Sequence, residues 1–373
     1  MEQENKYNNG KNAIIIYPAI NSSKIIDSDL RLQETIGLAC AISLNVLHTE
    51  AVNIKNPKPA TLFGQGVLDR VHEIIHELNI NLFIVDTNLT PIQQRNLERE
   101  LEVKVIDRTA LILEIFGARA RTFEGKLQVE LAHLTYQRSR LVRAWTHLER
   151  QRGGMGFVGG PGESQLEIDR RLADDRITKI KRKIENVKRT RTIQRGARKK
   201  VPYPVVSLVG YTNAGKSTLF NYLTGAGVFA KDLLFATLDP TMRLLKLPCG
   251  QQVILSDTVG FISDLPHDLV AAFRATLEEV QEADVVLHIR DLSSQEFENH
   301  GTDVVEILDG LGVQEKDKSI IEVWNKSDTL DMEEKSIIQN KLSTKDNKFL
   351  CSVLNEHGIG DILQAISDAL HKN

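Results

Sequence analysis

Cysteine is scarce in this chain: three residues in 373, Cys40, Cys249 and Cys351, far apart and without a CxxC pair. That argues against a disulfide framework or a cysteine zinc site. It fits a reducing compartment, with the thiols expected as buried structural groups. Long apolar runs are missing too. No stretch approaches the roughly 18–20 apolar residues that a membrane span needs. The start, MEQENKYNNGKN, lacks the basic-then-apolar order of a secretory leader. A cytoplasmic protein without a membrane span is expected, with a monomer as the default state. What remains is ordinary globular material, 41% hydrophobic and 26% charged, long enough for two or three domains.

The overall charge of −3 hides an asymmetry. Residues 170–200 hold 14 Lys or Arg against Asp174, Asp175 and Glu185, a local +11, so the rest of the chain stands near −14. A basic segment on an otherwise acidic protein is a candidate polyanion contact.

Periodicity divides the chain into three regions, and the fold class is α/β. Over 1–123, the runs AIIIYPAI (13–20), NLFIVD (81–86) and VKVIDRT (103–109) predict strands. RLQETIGLACAIS (31–43), GVLDRVHEIIHEL (66–78) and TPIQQRNLEREL (90–101) predict helices, giving an α/β domain that is parallel at least in part. His72 and His76 have ligand spacing, but no third ligand is evident and a plain helix face is the expected reading. Over 124–200, two helical patterns flank a glycine-rich stretch. The second places Ile177, Ile180, Ile184 and Val187 at spacings of 3, 4 and 3, which predicts an antiparallel hairpin with the glycines at its tip. Two prolines in KKVPYP (199–204) close that helix. Over 201–373, VVSLVG, VILSDT, VVLHIRD, IIEVWNKSD and FLCSV predict the strands of a doubly wound domain.

Two glycine motifs compete for a phosphate. Gly154, Gly156 and Gly159 match G-x-G-x-x-G, but a charged helical stretch, LVRAWTHLERQR, precedes them instead of a buried strand, and no βαβ unit surrounds them. GYTNAGKST (210–218) matches G-x-x-x-x-G-K-[ST] between a strand and a helix, the context a P-loop requires. Its residues Gly210, Tyr211, Thr212, Asn213, Ala214, Gly215, Lys216, Ser217 and Thr218 are the predicted phosphate cradle. Backbone N–H groups hold the oxygens, Lys216 reaches the β/γ-phosphates and Ser217 is a Mg²⁺ ligand.

Asp257 opens DTVG (257–260), where a carboxylate can anchor hydrated Mg²⁺ and the Gly260 N–H can sense a γ-phosphate. FATLDPT (235–241) lies between these motifs. Phe235 belongs to the predicted nucleotide contacts, and Thr237 is the chosen switch hydroxyl on Mg²⁺, with Thr241 second. Lys216, Gly260 and Thr237 form the expected catalytic set. In NKSD (325–328), Asn325 braces the loops, the Lys326 stem covers the base, and Asp328 can accept from guanine N1–H and its 2-amino group. Adenine offers neither donor there, so the ligand is GTP or GDP. Cys351, Ser352 and Val353 are expected to support the base and its carboxylate.

Ras-like enzymes carry a water-orienting glutamine after DxxG. Here the position is Phe261, expected to pack away from the nucleotide, so intrinsic hydrolysis should be slow and partner-stimulated. Asn213 could help hold K⁺ beside the phosphates, as in several GTPases with GxxNxGKS; its alternative is loop stabilisation.

With these motifs in place the chain resembles the HflX family, ribosome-associated GTPases of the Obg–HflX group. The resemblance rests on TPIQQRNLE, VIDRTALILEIFGARARTFEGKLQVELAHL, GGPGESQLEIDRR, FATLDPT and DTVGFI. It implies GTP hydrolysis, a large-subunit partner with its rRNA, and the splitting or recycling of stalled or idle ribosomes. A ribosome-assembly or RNA-modification GTPase without splitting activity shares every catalytic residue and stays open as the alternative. One departure is Gly64-Gln65-Gly66-Val67 in place of the family's usual G-K-G-K, where the second lysine is missing, which weakens any second nucleotide site. The glycine-rich loop then reads as an RNA-facing tip, with Gly154, Gly156, Gly159, Gly160, Gly162, Glu163, Gln165, Arg170 and Arg171 as contacts.

Overall fold

The computed structural model describes all residues except 1–9, 21–27, 152–164, 199–202, 226–233, 236, 239, 264–278, 311, 314–318, 343–346 and 373. By internal contacts the chain divides into two compact units, Met1–Lys188 and Arg189–Asn373.

The first unit is built on a four-stranded parallel sheet, β1 (Asn12–Ile20), β2 (Asn45–Ile54), β3 (Leu82–Val85) and β4 (Lys104–Asp107), in the order β2-β1-β3-β4. The central strands are largely apolar runs because both faces are covered; all four residues of β3 are buried. Helices α1 (Ser28–Ala41), α2 (Gln65–Glu77), α3 (Pro91–Leu101) and α4 (Arg108–Arg119) connect and follow the strands. Ile14, Ile16, Phe83, Val85, Leu97, Leu101 and Val105 form the centre of one core. Start signals are local. Thr90 and Gln93 make a reciprocal capping box with Pro91 at the first turn, and Asp107 caps α4 by accepting from Ala110 N–H at 2.8 Å.

The predicted strand 103–109 therefore ends at Asp107, because that carboxylate turns the chain into a helix. β2 was not predicted: NVLHTEAVNI is an edge strand, largely half-buried, so it shows no apolar stripe. The cysteine expectation also needs correction. Cys351 is buried, but Cys40 and Cys249 are exposed.

Two long helices complete this unit, α5 (Phe123–Gln151) and α6 (Gln165–Arg198), the latter continuing past Lys188. Glu130 pairs with Arg176 at 2.7 Å and Arg138 with Asp174 at 2.5 Å; as numbering rises along α5 it falls along α6, an antiparallel pairing. Ile177 and Ile180 are buried, Ile184 and Val187 partly so. The middle of α5 is clamped to the carboxyl ends of the sheet. Tyr136 donates to Asp107 Oδ1 at 2.7 Å, Arg140 pairs with Asp107 Oδ2 at 2.5 Å, and Leu89 N–H donates to the same oxygen at 3.3 Å. Beside it Asp86, 1% exposed, binds Arg31 at 2.9 Å and Arg108 at 2.8 Å, and Arg108 also meets Glu34. Buried charges persist there because each is paired and hydrogen-bonded.

The second unit holds a six-stranded sheet, β5 (Val205–Gly210), β6 (Thr241–Lys246), β7 (Gln252–Asp257), β8 (Val285–Asp291), β9 (Ser319–Asn325) and β10 (Lys348–Leu350), in the order β10-β9-β8-β5-β7-β6. All neighbours are parallel except β6 with β7. β6 was not predicted: like β2 it is an edge strand, and Arg243, Leu244 and Lys246 are exposed. Helices α7 (Lys216–Thr224) and α10 (Ile359–Lys372) contribute Leu219, Phe220, Ile362 and Ile366 to a core with Val206, Leu208, Leu287 and Ile289. Helices α8 (Phe297–Gly310) and α9 (Met332–Lys341) follow β8 and β9.

Candidate functional site

The site lies where β5, β7, β8 and β9 end, beside the point at which the strand order reverses, the location expected in an open α/β sheet. Residues 210–215 turn from β5 into α7 around two glycines that no other residue could replace. A Cβ on Gly210 (φ +150°) would stand 2.2 Å from Ile289 O, and one on Gly215 (φ +92°) 2.2 Å from Asn325 Nδ2. Asn213 also takes a left-handed backbone (φ 61°), and its side chain is exposed. This turn leaves the amides of the loop and the first turn of α7 as an anion cradle.

Lys216 is 6% exposed and donates to Gly210 O at 3.0 Å and Tyr211 O at 2.6 Å. Burial pulls its ammonium down to about 8, with the Asp257 charge acting in the opposite direction. Three oxygens converge one residue further on. Ser217 Oγ and Thr237 Oγ1 lie 2.7 Å and 3.0 Å from Asp257 Oδ2, and 2.9 Å from each other. The other oxygen, Asp257 Oδ1, is buried without a hydrogen-bond partner among the described residues. Burial raises the Asp257 carboxyl above its ordinary range, against the hydrogen bonds from Ser217 and the charge of Lys216. A desolvated carboxylate with one unused oxygen beside two hydroxyls is a donor set suited to a hard divalent cation. Thr237, not Thr241, joins it; Thr241 begins β6 and pairs with Asp257 only through the strand register.

The base end is equally connected. Asn325, 3% exposed, donates to Ala214 O at 2.9 Å and accepts from Val353 N–H at 3.4 Å, tying β9 to the P-loop and to the chain after β10. Lys326 Nζ is ion-paired with Asp291 at 2.7 Å, which fixes its stem. Ser352 donates to Asp328 Oδ1 at 2.5 Å. Cys351 is buried, its thiol pushed up to about 12 by burial and by the Asp328 charge, so it is a packing residue. Phe235 is 3% exposed with a left-handed backbone (φ 55°).

Phe261, 3% exposed, packs inside as expected, and its backbone pairs with the P-loop. Gly260 fits only as glycine: a Cβ would lie 2.9 Å from Thr212 Cα and 3.0 Å from Lys216 Nζ. Of the predicted RNA contacts, Gly154, Gly156, Gly159, Gly160, Gly162 and Glu163 lie outside the described residues, Gln165 begins α6, and Arg170 and Arg171 are exposed on it. His72 and His76 stand on an exposed helix face, Nε2 atoms 3.2 Å apart. The roles of Asp291, Asp107 and Tyr136 had not been anticipated. Asp107 sits inside a stretch that carried the family resemblance, which was the available signal; Tyr136 lies two residues past its end at Leu134.

Three family models match in succession. One described as "GTP-binding GTPase N-terminal" covers 29–117, "GTP-binding GTPase Middle Region" covers 119–198, and "50S ribosome-binding GTPase" covers 205–326. Among curated relatives, a GTPase HflX of Magnetococcus marinus is 55% identical over 84% of this chain and 72% of its own length. A GTPase HflX of Escherichia coli is 43% identical over 98% and 84% respectively. Among solved structures, a GTP-binding protein from Sulfolobus solfataricus in complex with GDP aligns over 97% of this chain and 99% of its own. Its TM-score is 0.50 at 24% identity, a likeness of fold.

Proposed function

Since the chain belongs to the HflX family of GTPases and is a GTP hydrolase, we propose that it is a cytoplasmic, GTP-switched factor that binds the large ribosomal subunit and splits or recycles stalled or idle ribosomes. The observation that carries this reading is that one chain holds both a GTP site and two long helices, one of them strongly basic. On α6, Arg170, Arg171, Lys179, Lys181, Arg182 and Lys183 are all exposed, a row suited to rRNA phosphates. Support comes also from the family model described as "50S ribosome-binding GTPase" that matches 205–326. The glycine-rich stretch between the helices is the proposed contact with structured RNA.

Phosphoryl transfer needs positioning and charge neutralisation more than covalent protein chemistry. In this reading the P-loop amides and Lys216 hold the β- and γ-phosphates, and the Gly260 N–H meets the terminal phosphate. Asp328, oriented by Ser352, selects guanine, while Asn325 keeps the base strand and the phosphate loop in register. Ser217, Thr237 and Asp257 would hold Mg²⁺, which supplies positive charge to the phosphate oxygens when bound. Phe261 has no polar atom to orient a water, so hydrolysis is slow until the ribosome orders the switch segments. Asn213, exposed on the P-loop, would help hold K⁺; equal hydrolysis in KCl and NaCl would remove that role.

Co-sedimentation with purified large subunits across a salt series tests the partner. Association through α6 should weaken by orders of magnitude between about 50 and 200 mM salt if six or more phosphate contacts form. Salt-independent association would overturn the role of the basic helix.

A further inference from the structure

The chain after Gly260 is fastened to the P-loop at two successive points. Phe261 N–H donates to Gly210 O at 3.1 Å, and Phe261 O accepts from Thr212 N–H at 2.7 Å. Two residues later the Tyr211 phenol oxygen accepts from Ser263 N–H at 2.9 Å and lies 2.9 Å from Ser263 Oγ. Ser263 Oγ donates its one proton to Asp303 Oδ2 at 2.8 Å, so the phenol is the donor in its contact with Ser263 Oγ. The Tyr211 ring, 7% exposed, lies flat on His300, centroids 3.6 Å apart at 11°. His300 and Asp303 both belong to α8. His300 is itself steadied by Ser294 at 3.3 Å and Glu296 at 3.4 Å.

These contacts bracket Gly260. On one side the chain is fixed by β7 and by Thr258, whose hydroxyl donates to Leu208 O at 2.6 Å. On the other side it is fixed at Phe261 and Ser263. Between the two fixed points Gly260 lies against Thr212 and the Lys216 ammonium, the group that faces the phosphates.

We propose that Tyr211 is a positioning residue for hydrolysis, whose phenol, through Ser263 and Asp303, holds the segment after Gly260 against the P-loop so that the Gly260 N–H stands where the terminal phosphate will be. The P-loop thus has two functions in one stretch. Its amides bind phosphate, and its second residue reaches sideways to preset the element that distinguishes GTP from GDP. Preorganisation of this kind acts on the transition state and on the triphosphate, not on the diphosphate. The inference rests on the GTPase activity of the chain and not on its ribosomal role.

The test compares the whole 373-residue chain with its Tyr211→Phe, Ser263→Ala and double variants. Tyr211→Phe keeps the ring on His300 and removes only the hydroxyl. Single-turnover GTP hydrolysis is measured with affinities for fluorescent GDP and a non-hydrolysable GTP analogue. Each single variant should hydrolyse GTP about tenfold more slowly, the value of one well-made hydrogen bond used in the transition state. Analogue affinity should fall, GDP affinity should stay within about twofold, and the double variant should lose no more than either single one, as expected for groups acting as one unit. Unchanged hydrolysis in Tyr211→Phe would overturn the proposal. So would losses that multiply in the double variant, or equal weakening of GDP and analogue, which marks a general role in P-loop shape.

Discussion

Replacing Asn325 should separate the two ends of the nucleotide site. Its amide nitrogen donates to Ala214 O at 2.9 Å and its oxygen accepts from Val353 N–H at 3.4 Å, and the side chain is almost fully buried. Asn325→Ala removes both partners at once. The Ala214 carbonyl, on a residue with 0% exposure, would be left without its amide donor; a buried orphan of that kind costs about 1–3 kcal/mol. The Val353 contact is longer and adds less, so the total is about 2–4 kcal/mol in the second unit. Asn325→Asp is the sharper perturbation. It keeps an acceptor for Val353 N–H but turns an acceptor towards Ala214 O, so the pair must repel or the carboxyl must protonate in place. The aspartate should therefore be worse than the alanine. Denaturant unfolding of each variant and titration with fluorescent GDP would read the effect, with affinity falling in the same order as stability. An aspartate variant milder than the alanine variant would refute the assignment of the Ala214 bond as the brace.

Lys216 makes nucleotide affinity pH-dependent. With the buried ammonium held down to about 8, affinity should be level below that pH and fall above it, by up to about tenfold per unit. Stability of the nucleotide-free protein should respond the other way. An unfolded lysine keeps its proton to about 10.5, so between 8 and 10.5 the unfolded state binds more protons and this group's burial penalty is relieved as pH rises. Isothermal titration with GDP from pH 7 to 9 checks the first part, and Lys216→Met should remove the slope. Asp328→Asn should lose GTP and gain xanthosine triphosphate, whose 2-oxo group accepts from an amide; competition binding reads this directly. Tyr136→Phe removes the phenol from Asp107 and should destabilise the first unit by about 1–2 kcal/mol, the value of a buried bond to a charged group. Thermal unfolding measures it, and GDP affinity should not move.

How much of this was legible beforehand follows from where partners lie in the sequence. The P-loop, DTVG and NKSD are contiguous, and each owes its recognisability to backbone turns that need particular residues at fixed offsets, such as Gly210 and Gly215. Central strands such as β3 are apolar runs because both faces are buried, and they were legible for that reason. β2 and β6 were not, since an edge strand mixes half-exposed polar residues with apolar ones and loses any clear period. Thr237 was chosen with Thr241 second, and the geometry favours the same residue through its bonds to Ser217 and Asp257. The contacts of Tyr211 could not be read at all, because Ser263 and His300 stand far along the chain and meet it only when β5, β7 and α8 are assembled. The two exposed cysteines escaped for a related reason: the number and spacing of thiols do not say which side of a helix or turn each one occupies.

A GTP-dependent action on ribosomes can be read from the ribosomes themselves. Intact ribosomes would be incubated with the protein and GTP, a non-hydrolysable analogue or GDP, then resolved on a sucrose gradient, with Asp328→Asn run beside the wild type. Free subunits should accumulate with GTP and the analogue and not with GDP, and the variant should act only when given xanthosine triphosphate. Ribosomes that stay intact under every nucleotide, while the protein still binds large subunits, would contradict splitting and favour an assembly or RNA-modification role.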